Sequence, residues 1–258
     1  MDKVSGNTGL VGKKIFFLHP SAVVQNKVVT ELIQQEFEVY IIKQHDKVKQ
    51  LLKSYPDSIV FADIDEWMSE KNWEAWIREV LGDPETSGAA IGILSANDDD
   101  LLQRKYINSV RVRCGYTVLC SDLNVSINYI LEILKAADAK GRRKYIRITT
   151  ENMTNTTVNF PVNGTFVNGL IKDISVVGFS CTFDKDPELV KNTLFKDIQI
   201  KLQSQLLKAE GIVFGSRMDG LVKIYVVLFT QRIDPAVRTK IRKYIQQSLQ
   251  DKMDNDLK

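Results

Sequence analysis

Apolar positions along this chain follow two regimes. From Lys14 to Leu134, compact apolar runs alternate with segments whose apolar residues recur every third and fourth position. KIFFLHP (14–20), EVYIIK (38–43), SIVFADID (58–65), AAIGILSA (89–96) and YTVLC (116–120) read as strands buried on both faces. Between them the spacing predicts a helix from Val23 to Glu36 and a short one from Asp46 to Ser54. Trp73, Trp76, Ile77 and Val80 fall at i, i+3, i+4 and i+7, one face of a third helix. Asn97 is the expected N-cap of a fourth, with Asp98, Asp99 and Asp100 in its first turn. Ile127, Ile130, Leu131 and Leu134 line a fifth. Five strand–helix alternations predict an α/β unit, a doubly wound parallel sheet covered on both faces.

After Gly141 the pattern turns to strands. Tyr145–Thr150, Thr165–Asp173, Gly178–Phe183, Lys196–Leu202, Leu206–Phe214 and Leu221–Phe229 are rich in Val, Ile, Phe and Thr and separated by turn residues. Six short antiparallel strands predict a small barrel, closed so that no edge is left open. Asp234-Pro235 marks the start of a C-terminal helix with Val237, Ile241, Tyr244 and Ile245 on one face. The expected organisation is a disordered tail (1–12), an α/β domain (13–138), a barrel domain (139–250) and a short tail (251–258).

Charge narrows the partners. A formal net charge of +3 over 258 residues argues against a general nucleic-acid binder. The basic charge is local: five Lys or Arg and one acid lie between Asp138 and Arg147. That suffices to attract a small dianion but is too short for a long phosphate track. No run reaches the roughly 18 apolar residues of a membrane span, and the N-terminus has no secretory pattern, so a cytoplasmic protein without membrane insertion is expected. Cys114, Cys120 and Cys181 lack metal-ligand spacing, and the two histidines, His19 and His45, are poor material for a metal site or a catalytic triad. No cofactor, no metal and no enzymatic constellation are expected.

Two strings carry chemistry. RRKYIR spans Arg142 to Arg147, and DISVVG spans Asp173 to Gly178, 26 positions after Arg147. A guanidinium meets the adjacent O6 and N7 acceptors of guanine with a fork, stacks on a purine face and pairs with phosphate, whereas a lysine offers charge without the fork. Asp173 and Ser175 can present hydrogen-bonding groups at a strand end. Gly178 would permit a tight turn or a close backbone approach. The other reading is a solvated basic linker and an ordinary strand-to-turn transition.

In their order and spacing, followed by a strand-rich remainder, the strings resemble the RxxxR and [D/N]xSxxG signature of PilZ domains, bacterial receptors for cyclic di-GMP. The resemblance covers roughly residues 141–250 and implies a six-stranded barrel capped by a C-terminal helix. It assigns Arg143 and Arg147 to guanine and phosphate, and Asp173, Ser175 and Gly178 to the second guanine. Arg142, just before RxxxR, implies an intercalated pair of ligands. Two positions depart from the family pattern: Tyr225 stands where a glycine is common, and Phe214 where Trp is common. The arginine-bearing segment also links the two domains, so the expected protein is a non-enzymatic receptor in which the ligand fixes a mobile linker, reorients the domains and changes the surface offered to a protein partner, which the resemblance implies is of the motility or exopolysaccharide kind.

The amino-terminal unit looks like a flavodoxin-like response-regulator receiver with most of its active site missing. Leu18-His19-Pro20 occupies the place of the Mg²⁺-binding acidic pair, and Leu119-Cys120-Ser121 that of the lysine. Asp63 sits where a phospho-acceptor would be and Ser95 near the usual hydroxyl position. Without the metal pair and the lysine, phosphoryl charge lacks compensation, so Asp63 reads as structural. A working phospho-receiver with the barrel as output, and a ligand-free adaptor, are the alternatives.

Overall fold

The computed structural model describes residues 12–150 and 155–257. The disordered tail expected at 1–12 lies outside them except for Gly12. The chain forms two compact units. One comprises the residues up to Lys144 together with those from Gln250 onward; the other is Tyr145–Leu249.

The first unit is a five-stranded sheet in the order β2-β1-β3-β4-β5, with every pairing parallel. Its strands are β1 (Ile15–Leu18), β2 (Val39–Ile42), β3 (Ile59–Asp63), β4 (Ala90–Ser95) and β5 (Tyr116–Val118). Near-continuous apolar runs form them because both faces are covered: every residue of β1 and β3 is buried. The helices are α1 (Thr30–Gln34, continuing a π-helical Val24–Val29), α2 (His45–Ser54), α3 (Glu70–Gly82), α4 (Asp100–Arg104, running on as a π-helical Lys105–Val110) and α5 (Leu123–Ala136). Trp73, Trp76, Ile77 and Val80 are the buried face of α3, and the Ser69 hydroxyl caps it by accepting from Asn72 N at 3.4 Å. The cap of α4 differs from expectation. Asp99 Oδ1 accepts from Leu101 N at 2.8 Å, while Asn97 Oδ1 accepts from Asp99 N at 2.9 Å and so turns the loop ahead of the helix.

Strand β2 lies at the edge of this sheet. The Gln250 amide meets it: its Oε1 accepts from Ile41 N and its Nε2 donates to Ile41 O, both at 2.9 Å. Gln250 belongs to α6 (Pro235–Asp256), so residues 251–256 continue a helix, and Met253 and Leu257 are buried.

The second unit is an antiparallel barrel. Its ring is β8 (Thr165–Ser175), β7 (Thr156–Val162), β10 (Leu194–Leu202), β11 (Gln205–Asp219), β12 (Val222–Phe229) and β9 (Gly178–Phe183), closed by the β8–β9 pairing. A short β6 (Arg147–Thr149) is added outside the ring, against β8. The ring has six strands, but not the six expected. The segment 145–150 supplies only β6, and β7 completes the ring instead. Thr156, Val158 and Phe160 of β7 alternate inward, and an Asn163-Gly164 turn, with φ of +49° and +80°, joins it to β8. Positive φ at both central residues gives the hairpin connection whose twist matches its strands. Tyr225, the departure from the family glycine, is 1% exposed. Its phenol donates to the Asp186 carboxylate, and its ring meets Phe183 edge-on at 5.8 Å. At the start of α6, Asp234 Oδ1 accepts from Ala236 N at 2.8 Å, and Ile241, Tyr244 and Ile245 are buried. Among the described residues, no helix is long and apolar enough to cross a membrane.

Candidate ligand-binding site on the barrel

Three strands bring four of the six candidate residues together. β6 pairs antiparallel with the end of β8, so Arg147 faces Ser175 and Thr149 faces Asp173. β8 turns through Val176-Val177 into β9, so Ser175 faces Gly178 and Asp173 faces Ser180. A bulge between Ile171 and Asp173 sets which way the acid points. Ile171 and Ile174 both enter the core although three residues apart, and the extra residue leaves Asp173 on the outer face. Thr150 N donates to Lys172 O at 2.9 Å, and the Thr150 hydroxyl donates to Ile171 O, so the end of β6 is pinned to this bulge.

Arg147 Nε lies 3.3 Å from Asp173 Oδ1, with the arginine side chain 54% exposed and the acid 16%. An ion pair this exposed contributes only about 0–1 kcal/mol to stability, so its main effect is to orient the guanidinium. Asp173 Oδ2 accepts from the Ser180 hydroxyl. The Ser175 hydroxyl is buried and donates to Gly178 O at 3.1 Å, which leaves its oxygen as an acceptor. The corner thus combines a guanidinium donor with two acceptor groups, a set complementary to guanine, whose O6 and N7 accept and whose N1 and N2 donate. Cys181 is fully buried, and that burial, with the Asp173 charge beside it, raises its thiol above the ordinary value.

Gly178 is demanded by packing. A Cβ there would lie 2.3 Å from Val227 O and 3.1 Å from Leu228 Cα. Of the two roles its pattern allows, the close backbone approach is the one the fold uses; Gly178 is not among the positive-φ glycines. Arg142 and Arg143 are exposed, on the irregular segment between α5 and β6. α5 ends at Ala136, and positive φ at Asp138 and Gly141 turns the chain before the arginines.

The carboxyl edge of the parallel sheet holds the other polar cluster. Asp63, at the end of β3, is 1% exposed. Its Oδ2 accepts from Ser21 N at 2.9 Å, and its Oδ1 has no hydrogen-bond partner among the described residues. Burial raises this carboxyl above its ordinary value, against the lowering effect of the Ser21 hydrogen bond. Ser95 donates to Asp65 Oδ1 at 2.7 Å, and Ala96 N to Asp65 Oδ2 at 2.5 Å. His19, with φ of +44°, stacks on the exposed Trp67 at 4.6 Å between ring centroids. Burial, then the neighbouring His45 and Lys43, lowers the His19 imidazole. Among the described residues no group of three His, Cys, Asp or Glu side chains could hold a metal ion.

No family model and no curated protein matches the chain. Solved structures do. The chain is similar to the PilZ domain with c-di-GMP of YcgR from Escherichia coli, at 17% identity over 45% of this chain and 96% of that one, with a TM-score of 0.37. It is similar to the K. pneumonia MrkH–c-di-GMP complex, at 19% identity over 45% of this chain and 54% of that one, with a TM-score of 0.36. It is also similar to the Mn²⁺-bound form of the response regulator Rcp1, at 14% identity over 48% of this chain and 92% of that one, with a TM-score of 0.38. The chain spans about half the length of MrkH. The solved structures it is similar to thus include PilZ proteins and a response regulator, and its own fold joins a parallel α/β sheet to a closed six-stranded barrel.

Proposed function

We propose that this chain is a cyclic di-GMP receptor, binding at the β6–β8–β9 corner of the barrel. Arg143 and Arg147 take guanine and phosphate; Asp173 and Ser175 accept from a guanine edge; Gly178 keeps the floor open. The observation that carries the reading is the pairing register, in which Arg147, Ser175 and Gly178 are successive partners across three strands and Asp173 touches Arg147. A guanidinium beside two acceptors suits a guanine nucleotide better than an arbitrary anion, for which acceptors would be repulsive. The protein acts as a cytoplasmic receptor and not as an enzyme. Ligand capture by Arg143 and Arg147 orders the segment that precedes the barrel, changes the arrangement of the two units and alters the surface met by a protein partner in motility or exopolysaccharide production. Such a switch operates only insofar as the ligand binds one arrangement more tightly.

Calorimetric titration with cyclic di-GMP, GTP and cyclic di-AMP in parallel tests the reading. Binding of cyclic di-GMP alone, or in clear preference, is expected; no heat with any of the three removes the proposal.

A further inference from the structure

The partner row that defines the site does not stop at Gly178. Gly178 of β9 faces Leu228 of β12, Leu228 faces Ile212 of β11, and Ile212 faces Leu194 of β10. One row of Cα partners therefore runs Arg147, Ser175, Gly178, Leu228, Ile212, Leu194 around the barrel. Its first half is polar and its second half aliphatic. The aliphatic half points outward: Leu228, Ile212 and Leu194 are 39%, 38% and 44% exposed, while their chain neighbours Val227 and Val213 are fully buried. A leucine exposed singly needs no explanation, but three in register, continuous with a polar corner, form a patch.

We propose that Leu228, assisted by Ile212, is an apolar shelf for the flat face of a purine base of the ligand. This rests on the cyclic di-GMP reading and adds to it the base-face contact. A base whose edge is held at Asp173 and Ser175 still has a π face to remove from water, and the adjacent barrel surface is the aliphatic half of the row. Gly178 makes that surface reachable. Without a side chain it raises no wall between the two halves, and a Cβ built there would already stand 3.2 Å from Leu228 Cδ2. Neighbouring strands are about 4.8 Å apart, so Leu228 lies one spacing from Gly178, Ile212 two and Leu194 three. The contribution should fall in that order, with Leu194 beyond a base anchored at the corner. An aliphatic face is indifferent to ring substituents, so the shelf raises affinity while the polar half selects guanine.

The test is calorimetric titration of cyclic di-GMP into the full chain and into Leu228→Ala, Ile212→Ala, Leu194→Ala and Arg147→Ala, with thermal melts to confirm folding. All three aliphatic residues are outward, so alanine leaves the core intact. Leu228→Ala should weaken binding about tenfold, as expected for the lost apolar contact, Ile212→Ala less, and Leu194→Ala not at all. Arg147→Ala separates the two claims. If it weakens binding while Leu228→Ala and Ile212→Ala bind as the wild type does, the shelf is wrong and the patch serves something other than this ligand. Equal losses at Leu228, Ile212 and Leu194 also overturn it, because they show a general effect on the barrel. If the unmutated chain does not bind at all, the receptor reading fails and the shelf with it.

Discussion

At the carboxyl edge of the parallel sheet, Asp63 and Ser95 are buried; Ser21 N donates to Asp63 Oδ2, and Ser95 donates to Asp65. At the barrel corner, Asp173 keeps 16% of its side chain in solvent, beside an Arg147 that keeps 54%. The two places use the same residue types, an acid and a serine at strand ends. One has turned them inward, where the acid holds the loop after β1 against β3. The other leaves part of an acid and more than half of an arginine side chain in solvent, and buries the Ser175 hydroxyl. Residue type alone does not distinguish the two places; the share of the charged side chains left in solvent does.

The strongest attack on this contrast is at the arginines. Arg147→Ala and Arg143→Ala should each weaken cyclic di-GMP binding on the order of a hundredfold, since each loses more than one charge-assisted hydrogen bond. Lysine at either position should recover little, because the fork is lost. Unchanged affinity in a folded variant would dissolve the contrast by making the barrel corner as closed as the sheet edge. Next in size is Gly178→Ala. Its Cβ would collide with Val227 O, so β9 and β12 must part, lowering stability by about 2 kcal/mol and distorting the corner; a thermal melt paired with a titration reads both.

At the other edge, Asp63→Asn should leave ligand binding untouched and raise stability at neutral pH by on the order of 1 kcal/mol. The sign follows from burial, which lifts the folded carboxyl above its unfolded value. The native state then holds the proton more tightly, and the contribution of Asp63 to stability falls as pH rises from the unfolded value through the folded one. The advantage of asparagine in melting temperature should grow across that acid window and be flat above it. Mass spectrometry after incubation with Mg²⁺ and a small phosphodonor should find Asp63 unmodified; a stable adduct would make the sheet edge the responsive site. The smallest effect expected is in stoichiometry. Arg142→Leu should keep binding but lower the ligand count from two per chain to one, because a third guanidinium offsets the repulsion of stacked phosphates. A count of one in both proteins assigns Arg142 to the basic linker.

Much of this molecule was legible from periodicity. The apolar runs at 14–20 and 58–65 contain β1 and β3, because a strand covered on both faces must be apolar throughout. β7 escaped because Asn159 and Pro161 interrupt its apolar pattern, although Thr156, Val158 and Phe160 alternate and Asn163-Gly164 is a hairpin turn by its chemistry. The end of α6 escaped for another reason. Its last turns carry only Met253 and Leu257 as apolar residues, and the Gln250 amide that anchors it finds its partner 209 positions away. The candidate corner could be proposed from RxxxR and DxSxxG, but the bulge that turns Asp173 outward could not. Nor could the aliphatic continuation of the row, since the pairing of Leu228 with Ile212 depends on a second bulge between Val213 and Gly215.

The Gln250 amide has a further consequence for how the chain behaves among its own copies. An outermost strand with bare N–H and C=O groups is a template on which a stranger's strand can pair, and sheets at high concentration join along such edges. At Ile41 that template is already occupied by one donor and one acceptor from a single side chain, a two-atom imitation of a neighbouring strand. A chain cut before Gln250 should leave Ile41 N and O bare and self-associate along that edge, which light scattering would read as a concentration-dependent rise in mass.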